Sequence, residues 1–442
     1  MTIANFPTLN KQLNQWQSHL NDYGPRLTAN STHKESINWL KEEIQKLDYA
    51  ITSDVHYLNF WEATAYSVRS VNQEIPLSSY FPYSGLTSDT GITAPLIFAD
   101  TNVSQDVRGK IPVFIMDISK VGTATFNSEE IMHPMNISAI AINALAAAKT
   151  KGAVGAIFVW ENLSPELSGK EILPFQNEFM DIPAVWTNAA QIDTLREMAD
   201  SKTPVTLTLV GNYVENTETE SFFVKIPGTN PDNHESLLLT THTDGPNAIE
   251  ENGPIALLTI LKYLKDSRTT FPQTLIVAFV SGHFQQRQMG PDNAKATGRW
   301  LDKFPELWDG QGPHLKAKFA LTLEHLGCLH YYDNQTHQFV QSSTPQENYA
   351  YLNTDNETSH LLEKMITTCD DIDDITYLDP TQAAYFGEGM PIYKRGIPNM
   401  AMITMPEWLF LEPLPFTQPD MQLMRAQIDT AIAILKAISQ SA

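Results

Sequence analysis

Apolar positions in the first fifty residues recur at helical spacing. In S-T-H-K-E-S-I-N-W-L-K-E-E-I-Q-K-L, Ile37, Leu40, Ile44 and Leu47 fall on one face of a helix that starts near Ser31 and follows G-P-R-L at Gly24–Leu27. From about Thr93 the period changes to short β runs: A-P-L-I-F-A-D, K-I-P-V-F-I-M-D-I and, after an Ala-rich helix over Ile137–Ala148, A-V-G-A-I-F-V-W. I-P-A-V-W-T-N, a second helix through Leu195 and P-V-T-L-T-L-V then close this unit near Gly211. The pattern predicts a β-rich insert with its own core. Beyond it, F-F-V-K-I-P-G-T-N begins at Phe222 and S-L-L-L-T-T-H at Ser236, a helix spans Pro254–Leu264, and T-L-I-V-A-F-V-S and F-A-L-T-L-E-H begin at Thr274 and Phe319. Alternating strands and helices predict an α/β sheet covered on both faces. The expected division is 1–75 as an N-terminal helical part, 76–212 as the insert and 213–442 as the main α/β domain.

Composition narrows the functional classes. At 442 residues the chain exceeds one ordinary core. No stretch approaches the roughly 18 uninterrupted apolar residues of a membrane span, and the most apolar helix is short and carries Asn143. The N-terminal M-T-I-A-N-F-P lacks the basic start and apolar run of a secretory signal, so a cytoplasmic location is expected. A formal net charge of -22 disfavours nucleic acid and anionic membranes as partners and favours solubility. Cys328 and Cys369 are too few for a disulfide framework or a thiolate cluster, and are expected as reduced core thiols.

In open α/β sheets the ligand site lies beyond the carboxyl ends of the strands. The polar residues that end the three core strands, His242, Asp244, Gly282, His283, Glu324 and His325, are therefore expected to converge. His242, with Glu250 and Glu251 ahead of the next helix, offers the nitrogen and oxygen donors that zinc or manganese accept. Asp244 could orient the imidazole from behind. The plainer alternative makes Glu250 and Glu251 first-turn acids stabilised by the helix dipole. No G-x-S-x-G elbow, phosphate-cradling glycine loop or cysteine nucleophile motif occurs.

Three segments carry a family resemblance: G-P-R-L-T-A-N-S-T-H-K-E-S-I-N-W-L, then G-K-I-P-V-F-I-M with K-G-A-V-G-A-I-F-V and I-P-A-V-W-T-N, then K-I-P-G-T-N-P-D-N-H-E-S-L-L-L-T-T-H-T-D-G. In this order, and over almost the whole chain, they resemble the di-zinc aminopeptidase and glutamate-carboxypeptidase family in the version with a protease-associated domain insert. The resemblance implies an α/β fold, a mixed and largely parallel sheet sandwiched by helices, interrupted by a β-rich protease-associated domain. It places the family's first histidine ligand on His242, the aspartate two positions later on Asp244, and the third-strand aspartate ligand on Glu324. The bridging aspartate falls on Glu250, with Glu251 as the lesser claimant. The family's adjacent glutamates, a base and a metal ligand, should follow T-L-I-V-A-F-V-S-G, where this chain has His283 and Phe284. Its final histidine should lie near P-E-W-L-F-L-E-P-L-P-F, yet no histidine follows His360.

The resemblance thus implies at most one of the family's two metals, zinc or manganese, held by His242, Glu250 and Glu324, or none. Two Asp-to-Glu changes would displace the carboxylates unless the loops adjust. His283 could replace the lost base or act as a further ligand, and His325 would line the same pocket. Y-F-G-E-G-M-P-I-Y-K-R-G-I-P-N-M is similar to the family's substrate-recognition loop, with Gly389 in place of a histidine. There Glu388 could grip a substrate amine or serve as an acid, and Tyr385, Tyr393 and Trp408 could form an aromatic wall. Three functions fit: a single-metal hydrolase of an amide or related bond in a small molecule or short peptide, with His283 as base; a lyase, dehydratase or cyclase working through His283, His325, Glu251 and Glu388; or a silent binding protein. The insert is a candidate for shaping the pocket or for building a homodimer.

Overall fold

The computed structural model describes residues 3–441 apart from 121, 127–128, 133, 176, 292–293, 334–335, 337, 368–374 and 382–383, so that Cys369 lies outside the described residues. Two N-terminal helices, Pro7–Asp22 and Ser31–Lys46, pack against the main sheet. The second begins where Asn30 accepts a hydrogen bond from the His33 N–H (2.7 Å), and Ile37, Leu40, Ile44 and Leu47 are all buried, as their spacing predicts. The N-terminal part is not helical throughout. Ile51–Arg69 is a 19-residue strand that pairs antiparallel with the 23-residue strand Pro204–Ile226.

This ribbon joins two lobes into one 14-stranded sheet. Phe222–Ile226 pairs with Thr274–Val280 in the main lobe, and Pro204–Leu207 pairs with Ile92–Phe98 in the second lobe. The main lobe runs in the order 274–280, 235–242, 316–323, 399–404, 348–353 and 375–378, with the first four strands parallel to one another. The α/β architecture expected from the sequence, a mixed and largely parallel sheet sandwiched by helices, is present. Helix Gly253–Ser267 is buried on nearly every side, which accounts for its continuous apolar sequence.

The second lobe has four parallel neighbours, Ile92–Phe98, Ile111–Asp117, Ala156–Glu161 and Ala184–Asn188. Helix Ile192–Asp200 covers one face, and helix Ser138–Thr150 covers the other. The cluster beneath Ser138–Thr150 continues without a break into main-lobe residues such as Ile249, Phe284 and Trp408. The lobes therefore share a packed junction. Among the described residues, no helix is long and apolar enough to cross a membrane.

Candidate metal centre

Strands 235–242, 274–280 and 316–323 are adjacent and in level register, with His242 opposite Val280 and Thr240 opposite Thr322. Their carboxyl tips bring His242, His283, Glu324 and His325 to one point, where Glu250 joins them from the loop before helix Gly253–Ser267. All five residues are buried. His242 Nε2, His325 Nε2, both Glu250 oxygens and Glu324 Oε2 have no hydrogen-bond partner among the described residues. Burying so many polar atoms without partners is costly, which marks the place for a ligand.

Each imidazole is oriented from behind. His242 Nδ1 contacts the Asp244 carbonyl (2.9 Å) and His325 Nδ1 the Thr404 carbonyl (2.6 Å). A carbonyl only accepts, so both Nδ1 atoms carry the proton and both Nε2 lone pairs face the centre. His283 Nδ1 meets Glu388 Oε1 at 2.7 Å, and its ring stacks on His242 with centroids 4.1 Å apart. From Glu250 Oε1, the Nε2 atoms of His283, His242 and His325 stand at 3.6, 3.9 and 3.9 Å. Glu324 Oε2 is 4.0 Å from His242 Nε2.

Burial dominates the proton equilibria. It holds His242 well below the usual imidazole range and brings His325 down to about 3. It also raises Glu250 well above the carboxylic range and Glu324 to about 7, the latter against the opposing pull of His283. Without a cation, therefore, the approaches of Glu250 to His242 and His325 are contacts of neutral groups and not ion pairs. Glu388 behaves differently: burial alone would raise it, but hydrogen bonds from His283 and the Thr297 N–H (2.7 Å), with Lys295 nearby, leave it below its ordinary value.

The two longer carboxylates are accommodated by glycines. A Cβ on Gly245 would stand 2.0 Å from Glu250 Oε2, and one on Gly387, where φ is +72°, would stand 2.5 Å from Glu324 Oε2. Each carboxylate thus occupies space that only a glycine leaves open. The histidine that the resemblance expects at Gly389 has no room, because a Cβ there would lie 2.5 Å from that of Ala401.

The expected ligands do not gather as one set of three. His242 reaches both carboxylates, but the triplets whose donor atoms all lie within 4.8 Å of one another are His242–Glu250–His283 and His242–Glu324–His325. Three further residues take other roles. Glu251 is paired with the buried Arg26 and does not line the chamber. Glu388 is fully buried with its oxygens held by His283 and Thr297, so it positions His283 and is in no place to grip a substrate amine. The Asp244 carboxylate accepts from the Thr28 hydroxyl and the Phe284 N–H (3.0 Å); it fixes the neighbouring loop, while the Asp244 carbonyl orients His242.

The apolar wall comes from Phe175, Phe386, Leu409 and Phe410, whereas Trp408 lies in the core and Tyr385 stacks on Tyr351. Lys295 also lines the chamber, with Nζ donating to the Gly387 carbonyl (2.7 Å) beside Glu324 and Glu388. Its sequence signal is a cation in the first turn of helix Lys295–Lys303, where the helix dipole disfavours positive charge.

This arrangement of sheet, helices and second lobe is the fold of the zinc aminopeptidases. The structure superposes on the zinc aminopeptidase from Bacillus subtilis with a TM-score of 0.69 and 15% identity, covering 97% of this chain and 95% of that one. The peptidase M28 precursor from Shewanella amazonensis gives 0.67 and 13%, covering 98% and 97%. The aminopeptidase from Aneurinibacillus sp. strain AM-1 gives 0.62 and 11%, covering 96% and 93%. No protein-family model matches the sequence, and none of the curated proteins matches it. At such identities the likeness establishes the fold alone.

Proposed function

We propose that this protein is a metal-dependent hydrolase of an amide or related bond in a short peptide or small molecule, with a single divalent ion at the strand tips. The supporting observation is the convergence of buried, unpartnered imidazole nitrogens and carboxylate oxygens. Donors bound at about 2.0–2.1 Å in a tetrahedron stand roughly 3.3 Å apart, so separations of 3.6 to 3.9 Å need only a small inward movement. Both candidate triplets use His242, and its Nδ1 is already committed to a carbonyl. One lone pair serves one ion, which is the physical reason for a single metal. Two imidazoles in either triplet favour zinc over manganese.

His242, Glu250 and His283 would hold the ion, since the Glu250–His283 approach is the shorter. A bound zinc supplies Lewis-acid polarisation of a carbonyl oxygen and acidifies a water. Glu324 then takes the base position: Oε1 accepts from the Glu388 N–H (2.6 Å), and Oε2 is left free to take a proton near neutral pH. His283 and Glu324 thus exchange the roles expected from the sequence. The aromatic wall excludes water, and Lys295 balances charge beside Glu324.

The test is elemental analysis after dialysis against zinc, together with cleavage of aminoacyl anilides. The expected result is one ion per chain, chelator-sensitive turnover, and zinc affinity lowered by at least roughly a hundredfold in His242→Ala. A chain that takes up no zinc, or two ions, overturns the reading.

A further inference from the structure

The chamber at the strand tips encloses only about 40 Å³, too little for a whole substrate. Phe175 and Gln286 line both this chamber and a larger cavity of about 360 Å³ where the ribbon and the two lobes meet. That cavity falls within the size range of small-ligand sites, and it is where a ligand too large for the chamber continues.

Two features of its wall are open to a ligand. Phe179 and Tyr213 are each 36% exposed and stack on one another with ring centroids 4.4 Å apart, while Tyr83 and Phe175 line the same cavity from buried positions. A pair of rings left partly in water is stabilised when a further ring covers it. Gln286 is 7% exposed; its amide makes no hydrogen bond among the described residues, and neither its oxygen nor its nitrogen is sealed from solvent. It stands where the two spaces adjoin, with donor and acceptor both to spare. The other polar groups are committed. Gln288 accepts from the Asn59 N–H (2.7 Å) and donates to the Asn59 carbonyl (2.9 Å), which ties the ribbon to the main lobe. On the rim, Glu178 and Arg287 stand 3.7 Å apart and offset each other, so the cavity has no net charge with which to select an ion.

We propose that this cavity is a subsite for an aromatic side chain of a peptide substrate, laid against Phe179 and Tyr213, with Gln286 hydrogen-bonding the peptide group that leads from that residue to the metal centre. The proposal deepens the hydrolase reading and rests on it for the bond cleaved. It makes the substrates peptides in which Phe, Tyr or Trp adjoins the residue that enters the chamber. That second residue is small, as the chamber volume requires.

The test is calorimetric binding to the full chain with a chelator present, so that nothing is cleaved. The probes are Ala-Ala amide, Ala-Phe amide and Phe-Ala amide. The wild-type chain is expected to bind one of the two phenylalanine probes roughly tenfold more tightly than Ala-Ala amide, and the favoured one shows on which side of the bond the ring lies. Phe179→Ala and Tyr213→Ala remove exposed rings that the fold does not need, and each should reduce that preference to about twofold or less. Gln286→Ala should weaken all three probes by roughly fivefold and leave the preference in place. Equal binding of the three probes by the wild-type chain, or no binding of any, overturns the proposal, as does a preference that survives the loss of both rings. Unchanged binding in Gln286→Ala overturns the role given to Gln286. A chain that prefers the ring but takes up no zinc keeps this subsite and loses the hydrolase reading; a zinc-loaded hydrolase indifferent to the ring does the reverse.

Discussion

Both lobes end parallel strands in polar residues, yet only one set of tips makes a site. In the second lobe Asp117, Glu161 and Asn188 end their strands partly exposed. Asp117 Oδ1 accepts from the Ser119 hydroxyl (2.6 Å) and from Asn162 Nδ2 (2.6 Å), while Asn188 caps the Ala190 N–H (3.1 Å). In the main lobe the tips are buried, and among the described residues His242 Nε2, His325 Nε2 and Glu324 Oε2 have no hydrogen-bond partner. Polarity at a strand end is therefore a weak signal. Burial without partners, converging from several strands, is the strong one.

The largest effect that would sharpen this contrast concerns Arg26. Removing it leaves Glu251 buried without its cation, so Arg26→Ala is expected to cost about 3–5 kcal/mol in denaturant unfolding. Asp117→Ala at the solvated tips should cost less than about 1 kcal/mol. Comparable losses would erase the distinction between the two sets.

Next in size is the support behind His283. Glu388→Gln keeps an acceptor for the imidazole but cannot serve His283 and the Thr297 N–H as a carboxylate does. Zinc affinity measured by competition with a chromophoric chelator is expected to fall about 10–100-fold. An unchanged affinity would show that His283 is not a ligand.

The smallest effect separates one orphan from many. Glu171, in the second lobe, is fully buried; among the described residues neither of its oxygens has a hydrogen-bond partner, and burial raises its carboxyl well above the ordinary 4.5. The folded chain thus keeps this proton to higher pH than the unfolded chain does. Stability should fall as pH rises above 4.5, by up to about 1.4 kcal/mol per pH unit, until the folded group ionises. Unfolding curves of Glu171→Gln across that window should lack this component. Parallel pH profiles for the two proteins would show that Glu171 has a partner after all.

The residues at the strand tips were legible because strand ends are punctuated in the sequence and a parallel sheet brings neighbouring ends together. What those residues bond to was not. Arg26 and Glu251 are 225 positions apart, so no local pattern links the pair. The glycines that admit Glu250 and Glu324 were visible as letters, but only contact distances give them meaning. The long ribbon was missed for a different reason. The longer strand is exposed through its middle, near Asn216, and in the first the alternation is inverted, with Asp54 and His56 buried while Val55 and Tyr57 are exposed.

That ribbon has a mechanical consequence. Because strand Pro204–Ile226 is hydrogen-bonded to strands of both lobes and carries Ile51–Arg69 along its length, the lobes cannot swing apart about a loose linker as hinged domains do. Relative motion must twist a continuous ladder, most easily at its irregular steps between Leu58 and Phe60 and between Ala63 and Ala65. The space between the lobes is accordingly held at a set width before anything enters it, and the entropy of shaping it is spent when the chain folds.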